Sequence, residues 1–229
     1  MALLIPDLLT ADELADIRRV LDAADWADGR LTAGYQSAQV KHNQQLPEDG
    51  PSATALRPII LAALARNRLF QSAVLPRRIF PPLFNRYGVG MGFGDHVDNA
   101  LRGPDFLRGP DFLRTDVSCT IFLDEPSDYD GGRLVIDDAV GAAAHAGPAG
   151  SAIVYPATTL HRVEPVTRGV RRACFFWVQS LVRHAQARAI LHDLDLALAG
   201  LRHRGLEGQP ELVALTGVYH NLLRQWGEP

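Results

Sequence analysis

His96-Val97-Asp98 falls in a run with strand character, Phe93 to Asp98. Side chains at i and i+2 project from one face of a strand, so this imidazole and this carboxylate can converge on one ion. A lone His-x-Asp triplet matches by chance often enough that, taken alone, it reads as a surface pair. His161 lies sixty-three residues after Asp98 in a second strand-like run, Leu160 to Val163, and can supply a third ligand from across a barrel. Two histidines and one carboxylate on one face of an ion leave its other positions open, the arrangement of non-haem Fe(II) oxygenases. Ten residues after His161, Arg171 opens an apolar strand. An arginine aimed into a barrel needs an anionic partner, because an unpaired buried charge is costly. Tyr87, nine residues before His96, brings a phenol to the same region.

These residues must be carried by strands. From Arg77 the chain breaks into short runs punctuated by Gly, Pro and Asp, with strands expected at 79–87, 93–98, 116–123, 133–137, 151–155, 160–163 and 171–180. Turn signals such as Asp130-Gly131-Gly132 separate them, which predicts an all-β barrel or sandwich core. Ahead of it, Thr10-Ala11-Asp12-Glu13 has capping-box spacing, and Leu14, Ile17, Val20 and Leu21 share a helical face. A second helix is expected over 52–70. Beyond Val182, Leu191, Leu194, Leu198 and Leu201 form one stripe, and Leu212, Leu215, Tyr219, Leu222 and Trp226 another. The fold class is therefore mainly β with N-terminal helices and a C-terminal helical hairpin. The expected division is an oxygenase-type domain over 1–180, with its β core at about 77–180, and a helical appendage over 181–229.

Composition narrows the function classes. The 229 residues are 47% hydrophobic and 21% charged, a globular balance that excludes a disordered chain. A net charge of −3 offers no basic face to a phosphate backbone, so nucleic acid is not expected as a partner. The longest apolar run is far short of a bilayer span, and the acidic N-terminal stretch lacks the basic region of a signal peptide. The two cysteines, Cys119 and Cys174, sit in apolar strands and read as core residues, which suits a reduced cytoplasmic setting. Of 23 basic residues only Lys41 is lysine; codon bias accounts for this, and carboxylate pairing is expected to use arginine. A tandem hexapeptide over 102–113 reads as slippage in a length-tolerant loop, with a lid as the alternative.

The sequence resembles the prolyl 4-hydroxylase-like Fe(II)/2-oxoglutarate dioxygenases, and more closely the bacterial PKHD-type hydroxylases linked to iron uptake. The resemblance is carried nearly end to end by Trp26-Ala-Asp-Gly29, Val40-Lys-His-Asn-Gln44, Leu83-Phe-Asn-Arg-Tyr87, His96-Val-Asp98 and Arg114-Thr-Asp-Val-Ser118, and continues in Tyr129-Asp-Gly-Gly132, Tyr155-Pro156, Leu160-His161, Pro165-Val-Thr-Arg-Gly-Val-Arg171 and Tyr219-His-Asn-Leu-Leu-Arg224. It implies a double-stranded β-helix (jelly-roll) core, Fe(II), 2-oxoglutarate, O2 and ascorbate as a supporting reductant. It also implies His96, Asp98 and His161 as the catalytic iron ligands, Arg171 on the distal carboxylate of 2-oxoglutarate, and Tyr87 as a further contact to that cosubstrate. Two positions depart from the pattern. Phe93 stands where many relatives carry a second tyrosine, and Arg133 where they often carry an acid.

Charge bookkeeping agrees with this assignment. Fe(II), one aspartate and two neutral imidazoles leave one positive charge; a chelating dianion reverses it, and Arg171 restores neutrality. Its planar fork pairs bidentately with a carboxylate. The carboxylate ligand Asp98 argues against halogenation, so hydroxylation of a peptidyl proline or of a small iron-uptake-related molecule is expected, with release of succinate and CO2. The competing readings are a non-catalytic metal-dependent binding or sensing barrel, and a zinc hydrolase on the same ligands. Asp95 reads as a turn residue or as support for His96. Ser118 and Thr120 line the cavity or simply pack. Phe175 and Trp177 read as core. The other six histidines read as surface or satisfied core positions, and the C-terminal helices as a packing appendage or a homodimer face.

Overall fold

The computed structural model describes residues 2–32, 35–103, 112–138 and 141–228. Most of the doubled hexapeptide, 104–111, lies outside them. Two antiparallel sheets face each other. The larger runs, in spatial order, Leu3–Ile5, Ala152–Pro156, Val117–Phe122, Arg171–Ser180, Leu83–Tyr87, Gln44–Gln45 and Ala27–Asp28, with Pro76–Ile79 also pairing the long strand. The smaller runs Gly141–His145, Leu134–Asp138, Leu160–Val163, Gly92–His96 and Lys41–His42. This is the expected mainly-β roll with flanking helices.

Period-two alternation tells each strand of the larger sheet what to do with its two faces. Val117, Cys119 and Ile121 join Phe84, Val154, Cys174, Phe176 and Val178 in one core cluster with Ile17, Leu21, Leu56 and Ile60 of the helices behind. Ser118, Thr120, Ala173, Phe175, Asn85 and Tyr87 occupy the alternate positions and face the space between the sheets. Val117–Phe122 is buried at every position because it has a hydrophobic layer on one side and the cavity on the other.

The helices follow their signals. Ala11–Asp22 starts with the capping box, Thr10 Oγ1 accepting from the Glu13 backbone amide and Glu13 accepting from that of Thr10. The helix expected over 52–70 is two, Pro51–Arg66 and Arg68–Val74. Asn67 divides them: its backbone is extended, and its side chain accepts from the Phe70 amide to start the second. The strand expected at 79–87 is likewise two, separated by Pro81 and Pro82, which have no amide hydrogen to give a ladder. Ala185–His203 and Pro210–Trp226 form the terminal hairpin, whose cluster includes Leu191, Tyr219, Leu222 and Trp226 together with Leu75. Ser72 bonds His192, and the chain returns to the core where the Glu228 amide donates to Leu181.

One ion-pair cluster pins a helix to the sheet. Asp124 accepts from the backbone amide of Arg172 at 2.6 Å and from its guanidinium at 2.6 Å, while the same guanidinium reaches Asp22. The Asp124 side chain is only 5% exposed. Removing one member of a buried pair strands its partner's charge, at about 3–5 kcal/mol. Asp124→Ala is therefore expected to lower stability by that amount, measured by urea unfolding, with little change in the denaturant slope.

Candidate metal centre

His96 ends its strand directly opposite His161 in the antiparallel ladder, their ring centroids 4.2 Å apart. Both imidazoles are tethered in the same way. Nδ1 of His96 lies 2.8 Å from the Gly94 carbonyl and Nδ1 of His161 2.9 Å from that of Thr159. A carbonyl only accepts, so each Nδ1 carries the hydrogen and each Nε2 keeps its lone pair, the tautomer a metal requires. Burial first, then the neighbouring His161, pull His96 down to about 4, leaving it neutral at neutral pH. Asp98 lies just past the strand end, steadied by Ser118, whose hydroxyl donates to Oδ2 at 2.5 Å from the opposite sheet. That oxygen is 3.8 Å from Nε2 of His161. One ligand atom from each of the three lies within 4.8 Å of the others, and no other such group is found among the described residues.

Arg171 comes into the same cavity from the first position of its strand, in register with Tyr87. It is 2% exposed, and its Nε and Nη2 have no hydrogen-bond partner. The faces of Tyr87 and Phe122 sit 5.4 and 5.9 Å from its guanidinium carbon. Burial raises the Tyr87 phenol, which stays protonated and accepts from the Asn85 amide at 3.4 Å. Gly132 makes room for the arginine stem: its φ is +59°, and a Cβ there would stand 3.0 Å from Cδ of Arg171. This gives the Gly131-Gly132 pair a purpose beyond turning.

The structure thus brings His96, Asp98, His161, Arg171 and Tyr87 to one cavity. Ser118 braces Asp98, while Asp95 does not support His96; its half-exposed carboxylate meets Arg162 at 3.3 Å. Arg133 pairs with Glu164 on the surface. Cys119 and Cys174 are buried, and burial pushes both thiols up. The reading of Phe175 and Trp177 as core holds, Trp177 in a cluster with Leu83, Leu113 and Ala157 and Phe175 packed against it, and the structure adds a second role. Both are on the odd-numbered face of their strand and line the cavity, and Trp177 carries the Arg102 guanidinium 3.9 Å from its ring. Sequence reasoning missed Lys41, Asn85, Arg102 and Tyr155. Tyr155 packs edge-on against His161 and was legible from alternation along its strand. Lys41 and Arg102 sit in two-residue strands that carry no periodicity.

A two-sheet antiparallel roll with this triad between its sheets defines a 2OG-Fe(II) oxygenase, and the profile of the 2OG-Fe(II) oxygenase superfamily matches residues 82–179. Among solved structures, a Pseudomonas putida prolyl-4-hydroxylase superposes with TM-score 0.53 at 22% identity, covering 78% of this chain and 92% of that one. A 2OG-Fe(II) oxygenase family oxidoreductase from Burkholderia pseudomallei gives 0.55 at 19%, covering 80% and 85%. At those identities the likeness concerns the fold. A PKHD-type hydroxylase of Xanthomonas euvesicatoria is 56% identical over the full length of both chains, and one of Bordetella pertussis 54% over 99% of each. Residues 186–228 match the PKHD-type hydroxylase C-terminal domain. The chain belongs to the PKHD-type hydroxylases.

Lys41 offers a direct check on the cavity's polarity. Burial is the main cause that pulls its ammonium from the usual 10.5 down to about 8. It is the chain's only lysine, so protein grown with carbon-13 at the lysine ε position should give one titrating signal with a midpoint near 8. Between about 8 and 10.5 the unfolded chain binds the proton and the folded one does not, so this amine's contribution to stability should rise with pH across that window.

Proposed function

We propose that His96, Asp98 and His161 hold the Fe(II) ion and that Arg171 and Tyr87 receive the distal carboxylate of 2-oxoglutarate, so that the chain hydroxylates a C–H bond of its substrate. The observation that carries this reading is the pairing of a tautomer-locked triad with a buried guanidinium whose Nε and Nη2 lack partners across the same cavity. An orphaned charged donor at that depth is costly unless a ligand supplies acceptors. When bound, Fe(II) with 2-oxoglutarate supplies the activation of O2 that inserts one oxygen atom into a C–H bond and releases succinate and CO2.

The chain's own residues orient and exclude. The Gly94 and Thr159 carbonyls fix both imidazoles, and Ser118 fixes the carboxylate. The Tyr87 and Phe122 faces hold the guanidinium in place, and its fork matches the planar distal carboxylate of the dianion. Phe93 stacks on the His96 ring at 3.6 Å and keeps water from that side. A zinc hydrolase on the same ligands would leave Arg171 without a partner, and a binding barrel would have no use for the open coordination positions.

Several further points belong to the same proposal. The substrate is a peptidyl proline or a small iron-uptake-related molecule, and ascorbate supports turnover by keeping the iron reduced. The catalytic unit covers 1–180, with 181–229 a helical appendage. The setting is cytoplasmic; no helix among the described residues is long and apolar enough to cross a membrane. Exposed Ile190, Leu196, Val213 and Val218 on the terminal helices suit a homodimer, checked by sedimentation.

Mixed anaerobically with Fe(II) and 2-oxoglutarate, the protein is expected to show a weak visible charge-transfer band that Asp98→Ala abolishes; no band, or a band that survives this change, overturns the reading. Arg171→Ala should weaken 2-oxoglutarate binding by about 10- to 100-fold, corresponding to about 1.5–3 kcal/mol for hydrogen bonds to a charged group, while Fe(II) binding persists. Gly132→Ala should move 2-oxoglutarate affinity in the same direction by displacing the Arg171 stem.

A further inference from the structure

Two cations of the cavity have no part in the chemistry above. Lys41, 6% exposed, donates to Gln45 Oε1 at 3.0 Å, and its Nζ lies 5.6 and 5.9 Å from the ring centres of Phe93 and Phe175. Arg102 lies over Trp177 and also has Phe80 at 5.7 Å. Its Nε is buried without a hydrogen-bond partner, and it forms no salt bridge among the described residues. Phe80 meets Trp177 at 5.7 Å and Trp177 meets Phe175 at 5.7 Å; Lys41 lies between Phe175 and Phe93, which stacks on the ligand His96. A cationic rim therefore borders an aromatic wall that ends at the metal centre.

Charge counting gives this rim a direction. With Fe(II), Asp98, two neutral imidazoles, 2-oxoglutarate and Arg171, the centre is neutral. Lys41 and Arg102 then add two positive charges, close enough that Arg102 depresses the lysine. Both cations feel Glu48 and Asp98, and Lys41 also feels Asp28; Asp98 is the carboxylate assigned to the ion. A cleft with excess positive charge and low-dielectric walls concentrates anions. An apolar wall beside it favours a molecule that is anionic at one end and flat or apolar in the middle.

We propose that Lys41 and Arg102 form an anion subsite for the hydroxylated substrate, and that this substrate is a small organic acid whose carboxylate they bind while its apolar part lies along Phe175 and Trp177. The proposal rests on the oxygenase reading for the carbon that reacts, but not for the binding. Its small-molecule form favours that arm of the substrate reading over a peptidyl proline.

Benzoate and benzamide, equal in size and different in charge, are the probes. Each is titrated calorimetrically into the anaerobic protein loaded with Fe(II) and saturating 2-oxoglutarate. Benzoate should bind at least about tenfold more tightly, the equivalent of about 1.4 kcal/mol. Arg102→Gln should erase the preference and Arg102→Lys keep part of it, both with unchanged 2-oxoglutarate affinity. Lys41→Gln should act like Arg102→Gln, with its melting temperature measured alongside; should it fail to fold, the half-buried Arg102 variants decide alone. The lysine carbon-13 signal should shift with benzoate and not with benzamide. No preference for benzoate, or a preference that survives Arg102→Gln, overturns the subsite. A normal charge-transfer band with no benzoate preference sinks this proposal alone, whereas a retained preference without the band sinks only the oxygenase reading.

Discussion

Two imidazoles can serve one ion only if both are neutral and both turn Nε2 the same way, and the backbone enforces this twice with one device. Each ring nitrogen Nδ1 is held by the carbonyl two residues upstream, Gly94 within the strand of His96 and Thr159 just before the strand of His161. The strands are antiparallel neighbours with His96 opposite His161, so the register of the smaller sheet sets the separation of the rings. A slip of one residue would send one imidazole to the other face and abolish the centre. The ladder has an irregularity between His161 and Val163, where twist and register adjust next to the site. The third proposed ligand is held differently. Asp98 is past the end of regular structure, and its orientation comes from Ser118 on the other sheet. The site therefore depends on the two sheets keeping their distance, and Tyr87, Phe122, Ile153 and Tyr155 of the larger sheet pack against Leu134, Ile136 and Val163 of the smaller.

The energetic cost of the cavity is concentrated in its cations. Arg171 has given up water, and its Nε and Nη2 have no hydrogen-bond partner; its neighbours are the Tyr87 and Phe122 faces and the Tyr129 phenol. Such a group destabilises the free fold and strengthens any interaction with a matching anion, because the desolvation is already complete before binding. The same trade explains Gly132, where a left-handed glycine loses chain entropy on folding but leaves room for the arginine stem. Local rules are broken at these positions, and compensation comes from dense packing elsewhere, notably the Asp124–Arg172–Asp22 cluster on the far side of the same long strand.

Much of this was legible in the sequence, for physical reasons that differ by element. The bounds of Leu160–Val163 and Arg171–Ser180 agree with expectation, because apolar positions bounded by turn residues and by a prolonged apolar run fix their ends. The convergence of His96, Asp98, His161 and Arg171 on one cavity was legible because the metal and dianion chemistry proposed for them restricts residue type as well as spacing. What stayed hidden needed knowledge of which face points where. Phe175 and Trp177 pack with core residues, Trp177 buried and Phe175 partly so, but both also face a cavity and Trp177 a cation. Only the register with Ser118 and Thr120 distinguishes the two kinds of burial. Strands of two residues, such as Lys41–His42 and Leu101–Arg102, owe their existence to neighbouring strands and leave no periodic trace. The splits at Asn67 and at Pro81-Pro82 were written in capping and ladder chemistry, and were overridden in the reading by the continuity of the apolar pattern.

Lys41 also illustrates how a background bias sharpens a local observation. In a chain where 22 of 23 basic residues are arginine, a lysine stands out against the composition rather than with it. The physical setting distinguishes the two side chains. The ammonium is a compact head that fits between the Phe93 and Phe175 rings with Gln45 as acceptor. A guanidinium would bring a wider planar fork and five donors into a space that presents mostly carbon. The rim therefore combines one flat cation stacked on Trp177 with one point charge set deeper, an unequal pair that can grip a carboxylate at one end while leaving the aromatic wall free for the rest of a molecule.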